Sequence, residues 1–146
     1  MSIDKKRANE LTARIDEKMA ELEKYLTEFQ NMEIPEIEEY RADFEKKAAC
    51  ERYFEKIVES IIAITFLIIR LKEFNSPESE EHAFSILSKN QIISEEFAKK
   101  LKDAKDMRNR IIHNYITIDD SIVYHAIAEE IIKDAENFLE VIKKAI

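Results

Sequence analysis

Apolar residues recur along the chain at steps of three, four or seven, the periodicity of an amphipathic helix. This pattern predicts a first helix over residues 4–31, ended before Pro35. It predicts a second helix from about Glu36 to Phe74, in which segment 61–69 is apolar on nearly every side. We therefore expect that segment to have more than one neighbour, with a second subunit among the candidates.

Signals for helix starts divide the rest of the sequence. Ser76, which precedes a proline, is a predicted N-cap for a short helix near 77–88. Ser94 is a predicted N-cap for a fourth long segment, with acidic residues in its first turn. Asp119 or Asp120 can cap the final helix. The elements together predict an all-α protein, an up-and-down four-helix bundle with a short accessory helix.

The composition supports a helical fold in one domain spanning 1–146. There is no glycine and there are only two prolines, whereas tight β-turns and bulges depend on glycine. A chain of 146 residues is long enough to bury a core without disulfides or a structural metal.

The sequence also indicates a compartment. Cys50 is the single cysteine, so no intramolecular disulfide can form. The N-terminal sequence is charged throughout and lacks the apolar stretch of a secretion signal. The apolar run 61–69 is far shorter than the ~20 residues that span a bilayer. We therefore expect a cytoplasmic protein with no membrane segment.

The charge is unevenly distributed. The chain has 23 basic and 31 acidic residues, a net charge of −8, which argues against binding nucleic acid through bulk charge. Between Lys99 and Arg110, however, six residues are basic and two are acidic. This window is either a solvated helix face or an approach for an RNA backbone. The candidate RNA contacts are Lys99, Lys102, Lys105 and Arg110.

Arg108 interrupts an apolar stripe of the predicted fourth segment. A permanently charged guanidinium there must meet water, a carboxylate or an anion, because burying it unpaired is costly. His113 follows five residues later and would point about 140° away in an unbroken helix. The two side chains converge if the helix loosens near Ile112 or if a second subunit completes the site. Taken singly, Arg108 also fits a boundary residue that turns outward, and His113 a surface group.

Arg108, Asn109, His113 and Tyr115 form the pattern R-N-x3-H-x-Y. This pattern, the long apolar helix before it and the segment AFSILSKNQIISEEFAKKL resemble the HEPN superfamily, specifically the HepT-like toxins of two-gene toxin–antitoxin modules. The likeness covers most of the chain from about residue 50 onward, whereas residues 1–40 match only as a generic helix. It implies a HEPN fold and a metal-independent endoribonuclease that acts without a cofactor on RNA. It also implies a homodimer whose two motifs face each other across a cleft.

The residues suit the chemistry that this resemblance implies. A neutral His113 imidazole can take the proton of a ribose 2′-hydroxyl near pH 7. Arg108 offers a fixed cation to the scissile phosphate. Asn109 would have a supporting role, orienting His113 or a phosphate oxygen. The products would carry a 2′,3′-cyclic phosphate.

Tyr115 has a regulatory role in this interpretation. The resemblance implies a partner, a minimal nucleotidyltransferase antitoxin, that adds AMP units to Tyr115 and silences the nuclease. One AMP adds bulk and negative charge two residues from His113, where it would repel an RNA phosphate. The ordinary alternative is a packing tyrosine with its hydroxyl at the edge of the core.

Other classes of site have little support. His82, His113 and His125 lie on different segments without ligand spacing, so no metal site is predicted. A phosphate cradle is excluded because there is no Gly-rich loop. The remaining alternative is a non-catalytic HEPN-like helical dimer that binds RNA or nucleotide, or serves as a partner-binding module.

Overall fold

The computed structural model describes residues 3–113 and 119–146, and throughout these ranges the regular structure is helical. Two short helices and a single π-helical turn accompany the longer helices. The elements are α1 (Lys5–Asn31), α2 (Ile37–Ala42), α3 (Phe44–Leu71), α4 (Glu80–Lys89), α5 (Glu95–Ile112), α6 (Asp120–His125), the π-helical turn (Ala126–Glu130) and α7 (Ile131–Ala145). The predicted all-α bundle is confirmed.

Helix α3 lies at the centre of the bundle and packs against α1, α2, α4, α5 and α7. Its segment 61–69 is mostly buried within the single chain. The several neighbours predicted for this segment are therefore present inside one protomer. Its apolar character on all sides follows from these contacts and gives no separate sign of a second subunit. None of the helices in the described ranges is long and apolar enough to cross a bilayer.

The predicted second helix, 36–74, is wrong as a continuous element. The backbone breaks at Asp43, whose φ of −105° and ψ of 100° are extended. The Asp43 carboxylate accepts hydrogen bonds from the backbone N–H groups of Glu45 and Lys46, at 3.1 and 3.2 Å. Asp43 is thus the N-cap that starts α3, and α2 is a separate short helix before it.

The predicted start of the short helix is also wrong. Helix α4 begins at Glu80, and its N-cap is Ser79 rather than Ser76. The Ser79 hydroxyl accepts a hydrogen bond from the His82 backbone N–H at 3.0 Å. This cap fixes Glu80 in the first turn of α4, where the helix dipole favours a negative charge.

Two other caps are confirmed. The Ser94 hydroxyl accepts the Phe97 N–H at 3.0 Å and starts α5. Asp119, rather than Asp120, caps α6 and accepts the Ser121 N–H at 2.8 Å. The final helical segment contains the π-helical turn between α6 and α7, a feature that the sequence pattern did not predict.

Within residues 3–113 and 119–146, three helices end at a residue in the left-handed conformation. Glu33, Glu73 and Gln91 have φ values of 58°, 55° and 61°, directly after the C-caps of α1, α3 and α4. At two of these ends the next backbone N–H returns to the helix, from Phe74 to the Ile69 carbonyl and from Ile92 to the Leu87 carbonyl. This is the Schellman arrangement, which glycine usually provides.

Candidate active site

Helix α5 carries the described part of the motif. Its cap at Ser94 and the buried side chains of Phe97, Ala98, Leu101 and Met107 fix the helix against the bundle. Arg108 and Asn109 lie in its last two turns, and His113 is its C-cap. Helix α4 packs against α5 and brings a carboxylate to the same region.

Arg108 is buried, with 8% of its surface exposed. Its Nη2 donates to Glu80 Oε1 at 2.6 Å and to Asn109 Oδ1 at 2.7 Å. Its Nε also donates to Asn109 Oδ1, at 3.0 Å. The guanidinium is therefore held on one edge by a carboxylate from α4 and an amide oxygen from its own helix. The sequence predicted that Arg108 would meet water, a carboxylate or an anion, and in the structure it meets the Glu80 carboxylate.

His113 is exposed, and the backbone stays helical up to it. Its φ of −80° lies near the helical value, whereas its ψ of 2° marks the end of the helix, and its N–H donates to the Asn109 carbonyl at 3.1 Å. The expected loosening near Ile112 is therefore wrong. With a regular helix between them, the Arg108 and His113 side chains leave α5 about 140° apart and about 7.5 Å along the axis.

This geometry separates the two chemical groups within one protomer. Arg108 faces α4 and is covered by Glu80 and Asn109, whereas His113 opens to solvent. The first of the two routes to convergence, a loosened helix before His113, is not seen in this backbone.

The four basic residues are distributed around α5 rather than gathered beside Arg108. Lys99 and Arg110 are exposed and lie roughly 160–180° around the axis from Arg108. Lys102 lies about 120° away, and Lys105 about 60° away. Lys105 is paired with Asp106 at 2.7 Å, and its side chain is 13% exposed. The structure therefore brings one of the four, Lys105, to the side of Arg108.

Tyr115 lies outside the described residues. The structure therefore gives no account of its side chain or its surroundings.

A groove of about 340 Å³ lies between α5 and the segment formed by α6, the π-helical turn and α7. Its lining is mainly apolar, with Met107 and Ile122 on opposite walls and the Lys100 ammonium at its edge. Burial raises the pKa of the Asp134 carboxyl in this groove, and Lys100 opposes that shift. The described motif residues do not line it, so the groove lies on a different side of α5 from Arg108. No three His, Cys, Asp or Glu side chains within 3–113 and 119–146 are grouped to hold a metal ion.

Glu80 is the site residue that the sequence did not identify. It lies 28 residues before Arg108, on another helix, and only the packing of α4 on α5 joins them. The available signal was general: an arginine on an apolar stripe needs an acceptor, and segment 78–81 is rich in acids. On that basis the sequence did not distinguish Glu78, Glu80 and Glu81 as the acceptor for Arg108.

The helical bundle, with an Arg–Asn pair near the end of one helix and a histidine at its cap, agrees with the HEPN resemblance of the motif. Residues 15–142 match the family described as "Ribonuclease HepT-like". The match covers most of the chain and begins well before residue 50, where the recognised likeness started. The chain belongs to the HepT-like ribonuclease family, as its motif predicted.

Curated relatives and a solved structure agree with this assignment. The chain is 28% identical over 114 residues to the tRNA nuclease HepT of Aphanizomenon flos-aquae, covering 78% of each chain. It is 27% identical over 105 residues to the mRNA nuclease HepT of Shewanella oneidensis, covering 72% of this chain and 78% of the relative. It also matches the Shewanella oneidensis HEPN toxin, solved tri-AMPylated in complex with MNT antitoxin. That match has a TM-score of 0.81 and 25% identity, and covers 89% of this chain and 96% of that one. The predicted enzyme class, a ribonuclease, is that of the family.

Proposed function

We propose that this protein is the toxin of a HEPN/MNT toxin–antitoxin module, a metal-independent endoribonuclease that acts in the cytoplasm. The observation that carries the proposal is the position of Arg108 near the end of α5. Its guanidinium is hydrogen-bonded to Glu80 and Asn109, and the exposed His113 follows as the C-cap of the same helix, in a chain of the HepT-like family. The tRNA and mRNA nuclease relatives support RNA as the substrate.

In the proposed reaction, His113 takes the proton of a ribose 2′-hydroxyl, and the 2′-oxygen attacks the adjacent phosphorus. The bond from phosphorus to the 5′-oxygen breaks, the 5′-oxygen takes a proton from water, and a 2′,3′-cyclic phosphate remains. The hydroxide left from that water takes the proton from His113, which restores the neutral imidazole. Arg108 stabilises the negative charge that grows on the phosphate oxygens through its positively charged guanidinium. Asn109 orients Arg108 through its amide oxygen.

The proposed active form is a homodimer. Arg108 and His113 leave α5 about 140° apart, so one protomer does not direct both at the same phosphodiester. A second copy that places its α5 end against the first would supply the missing group in trans. Light scattering at micromolar concentration tests this: twice the chain mass is expected, and a monomer that still cleaves RNA would refute the dimer requirement.

The proposed regulation is AMPylation of Tyr115 by a cognate minimal nucleotidyltransferase. Support comes from the tri-AMPylated Shewanella oneidensis toxin in complex with MNT antitoxin. Each AMP would add a negative charge two residues from His113 and weaken RNA binding by repulsion. After incubation with the nucleotidyltransferase and ATP, intact mass should rise by AMP units, and Tyr115→Phe should gain none. Equal additions to both proteins would place the modification elsewhere.

Cleavage in EDTA tests the central proposal. The wild-type chain, free of antitoxin, should cleave RNA to products with 2′,3′-cyclic phosphate ends, because no step needs a metal. His113→Ala removes the proposed general base, so the rate of RNA cleavage should fall by two to four orders of magnitude. His125→Ala is the matched control, since His125 is exposed on α6 and outside the motif. Equal cleavage by wild type and His113→Ala would end the enzymatic interpretation.

A second candidate is a HEPN-like domain that binds RNA or nucleotide without cutting it. The burial of Arg108 and its separation from His113 favour this alternative. The same assay separates the two. A gel-shift of RNA by the wild-type chain, with no cleavage at any protein concentration, would support a binding module.

A further inference from the structure

We propose that Glu80 is a positioning residue, which orients Arg108 for phosphate binding from outside α5. This inference rests on the proposed function, since it concerns the same guanidinium. It adds a residue from a different helix, and one that lies outside the R-N-x3-H-x-Y pattern.

The first support is the way in which Arg108 is held. Asn109 is adjacent in sequence and shares the same helix, so its two hydrogen bonds move with α5. The Glu80 carboxylate comes from α4 and binds Nη2 at 2.6 Å. A contact from a second rigid element restrains the guanidinium from α4 as well as from α5, so its plane is fixed by two helices rather than one.

The second support is that Glu80 is itself fixed in place. The Ser79 cap sets the start of α4, so Glu80 occupies the first turn of that helix. The first turn of a helix is also where an acidic side chain interacts favourably with the helix dipole. The buried residues Ala83, Phe84 and Leu87 of α4 hold the helix against the core. The orientation of Arg108 is thus tied to the hydrophobic core through one carboxylate.

The third support is the division of donors on the guanidinium. The Glu80 and Asn109 contacts use Nε and Nη2. Nη1 carries two further N–H donors, the edge that we assign to a phosphate oxygen. A guanidinium that is already held on one edge loses little conformational entropy when it binds the phosphate.

This role predicts a specific change in kinetics. Glu80→Gln keeps the length of the side chain but removes its charge, so Arg108 is held more loosely while the site becomes more positive. We expect kcat for RNA cleavage to fall at least tenfold, with KM unchanged or lower. Glu81→Gln is the matched control, because Glu81 is the next residue in the same first turn, carries the same charge and is exposed. It should behave as wild type.

A second readout does not depend on nuclease activity. Rotation about the Cζ–Nε bond of Arg108, measured by guanidinium NMR, should be slow in wild type and in Glu81→Gln, and faster in Glu80→Gln. If Glu80→Gln does not fold, Glu80→Asp, which shortens the reach by one methylene, should show the same two changes. An inactive wild-type chain would refute the proposed nuclease, and the NMR comparison would still decide whether Glu80 holds the guanidinium.

Three outcomes would overturn the role of Glu80. The first is a kcat within twofold of wild type in Glu80→Gln, together with unchanged Arg108 rotation. The second is an equal loss of kcat in Glu80→Gln and Glu81→Gln, which would indicate a general charge effect. The third is faster cleavage by Glu80→Gln, which would mean that Glu80 competes with the phosphate for Arg108.

Discussion

Replacing Asn109 with Asp adds one negative charge beside the Arg108 guanidinium and keeps an oxygen in place to accept its hydrogen bonds. Asn109 Oδ1 lies 2.7 Å from Nη2 and 3.0 Å from Nε of Arg108. The substitution therefore preserves the geometry of the pair. It changes the electrostatics of the site where the proposed reaction gathers negative charge.

The size of the effect follows from these distances. A phosphate oxygen bound on the other edge of the same guanidinium would lie roughly 6 Å from the new carboxylate, given ordinary hydrogen-bond lengths. At an effective dielectric constant of about 20, two unit charges at that separation repel by about 3 kcal/mol. We therefore expect kcat/KM for RNA cleavage by Asn109→Asp to fall about 100-fold.

The assay is single-turnover cleavage in EDTA over a range of enzyme concentrations, together with urea unfolding. The free energy of unfolding should not fall, because a carboxylate accepts the same hydrogen bonds at least as well as an amide. Asn137→Asp is the control, since Asn137 is exposed on α7 beside Phe97, near the other end of α5. It should leave kcat/KM unchanged.

The result that would refute the reasoning is a folded Asn109→Asp protein with kcat/KM within threefold of wild type. Arg108 would then not bind the phosphate, and its buried cluster would be structural only.

The remaining predictions concern stability. Tyr40→Phe removes a buried hydroxyl with no hydrogen-bond partner among residues 3–113 and 119–146, so the free energy of unfolding in urea should rise by about 1 kcal/mol; a loss of that size would show the hydroxyl to be bonded. Burial, and then the Glu51 and Asp120 carboxylates, raise the pKa of Tyr40 above its ordinary value of about 10. Wild type should therefore lose stability relative to Tyr40→Phe as the pH rises above about 10, because the unfolded chain releases this proton first. Ser79→Ala should cost about 1 kcal/mol and Ser76→Ala less than about 0.5 kcal/mol, and the reverse order would contradict the assignment of the α4 cap.

The helices were largely predictable because their signals are local. A serine before an acidic first turn identified the start of α5, and an aspartate before an apolar face identified the start of α6. The stripe containing Arg108 correctly predicted a charged residue on a buried face that needs a partner. Each of these inferences needs only the periodicity of one helix.

The errors arose where two signals of equal strength competed. Asp43 interrupts a stretch whose apolar periodicity continues on both sides, so the pattern predicted one continuous helix where the structure has two. The segment SPESEE contains two serines followed by acids, and Ser79 rather than Ser76 provides the cap. The choice depends on how α4 packs against α3 and α5, which a local pattern does not contain.

The site was harder to predict than the fold for a related reason. Arg108, Asn109 and His113 are near neighbours in sequence, and a motif identifies them together. Glu80 reaches Arg108 only through tertiary packing. The helical backbone of α5 up to His113 also had no clear signal in the sequence, which left a loosening near Ile112 open.

The three left-handed helix ends show what a chain without glycine gives up and gains. Glycine would give the unfolded chain additional backbone freedom that folding must remove, so its absence lowers the entropy lost on folding. Against this, a left-handed Glu33, Glu73 or Gln91 costs about 1–2 kcal/mol each. The gain is spread over every joint of the bundle, whereas the strain is concentrated in three residues. Those positions are therefore where introducing a glycine should raise the melting temperature rather than lower it.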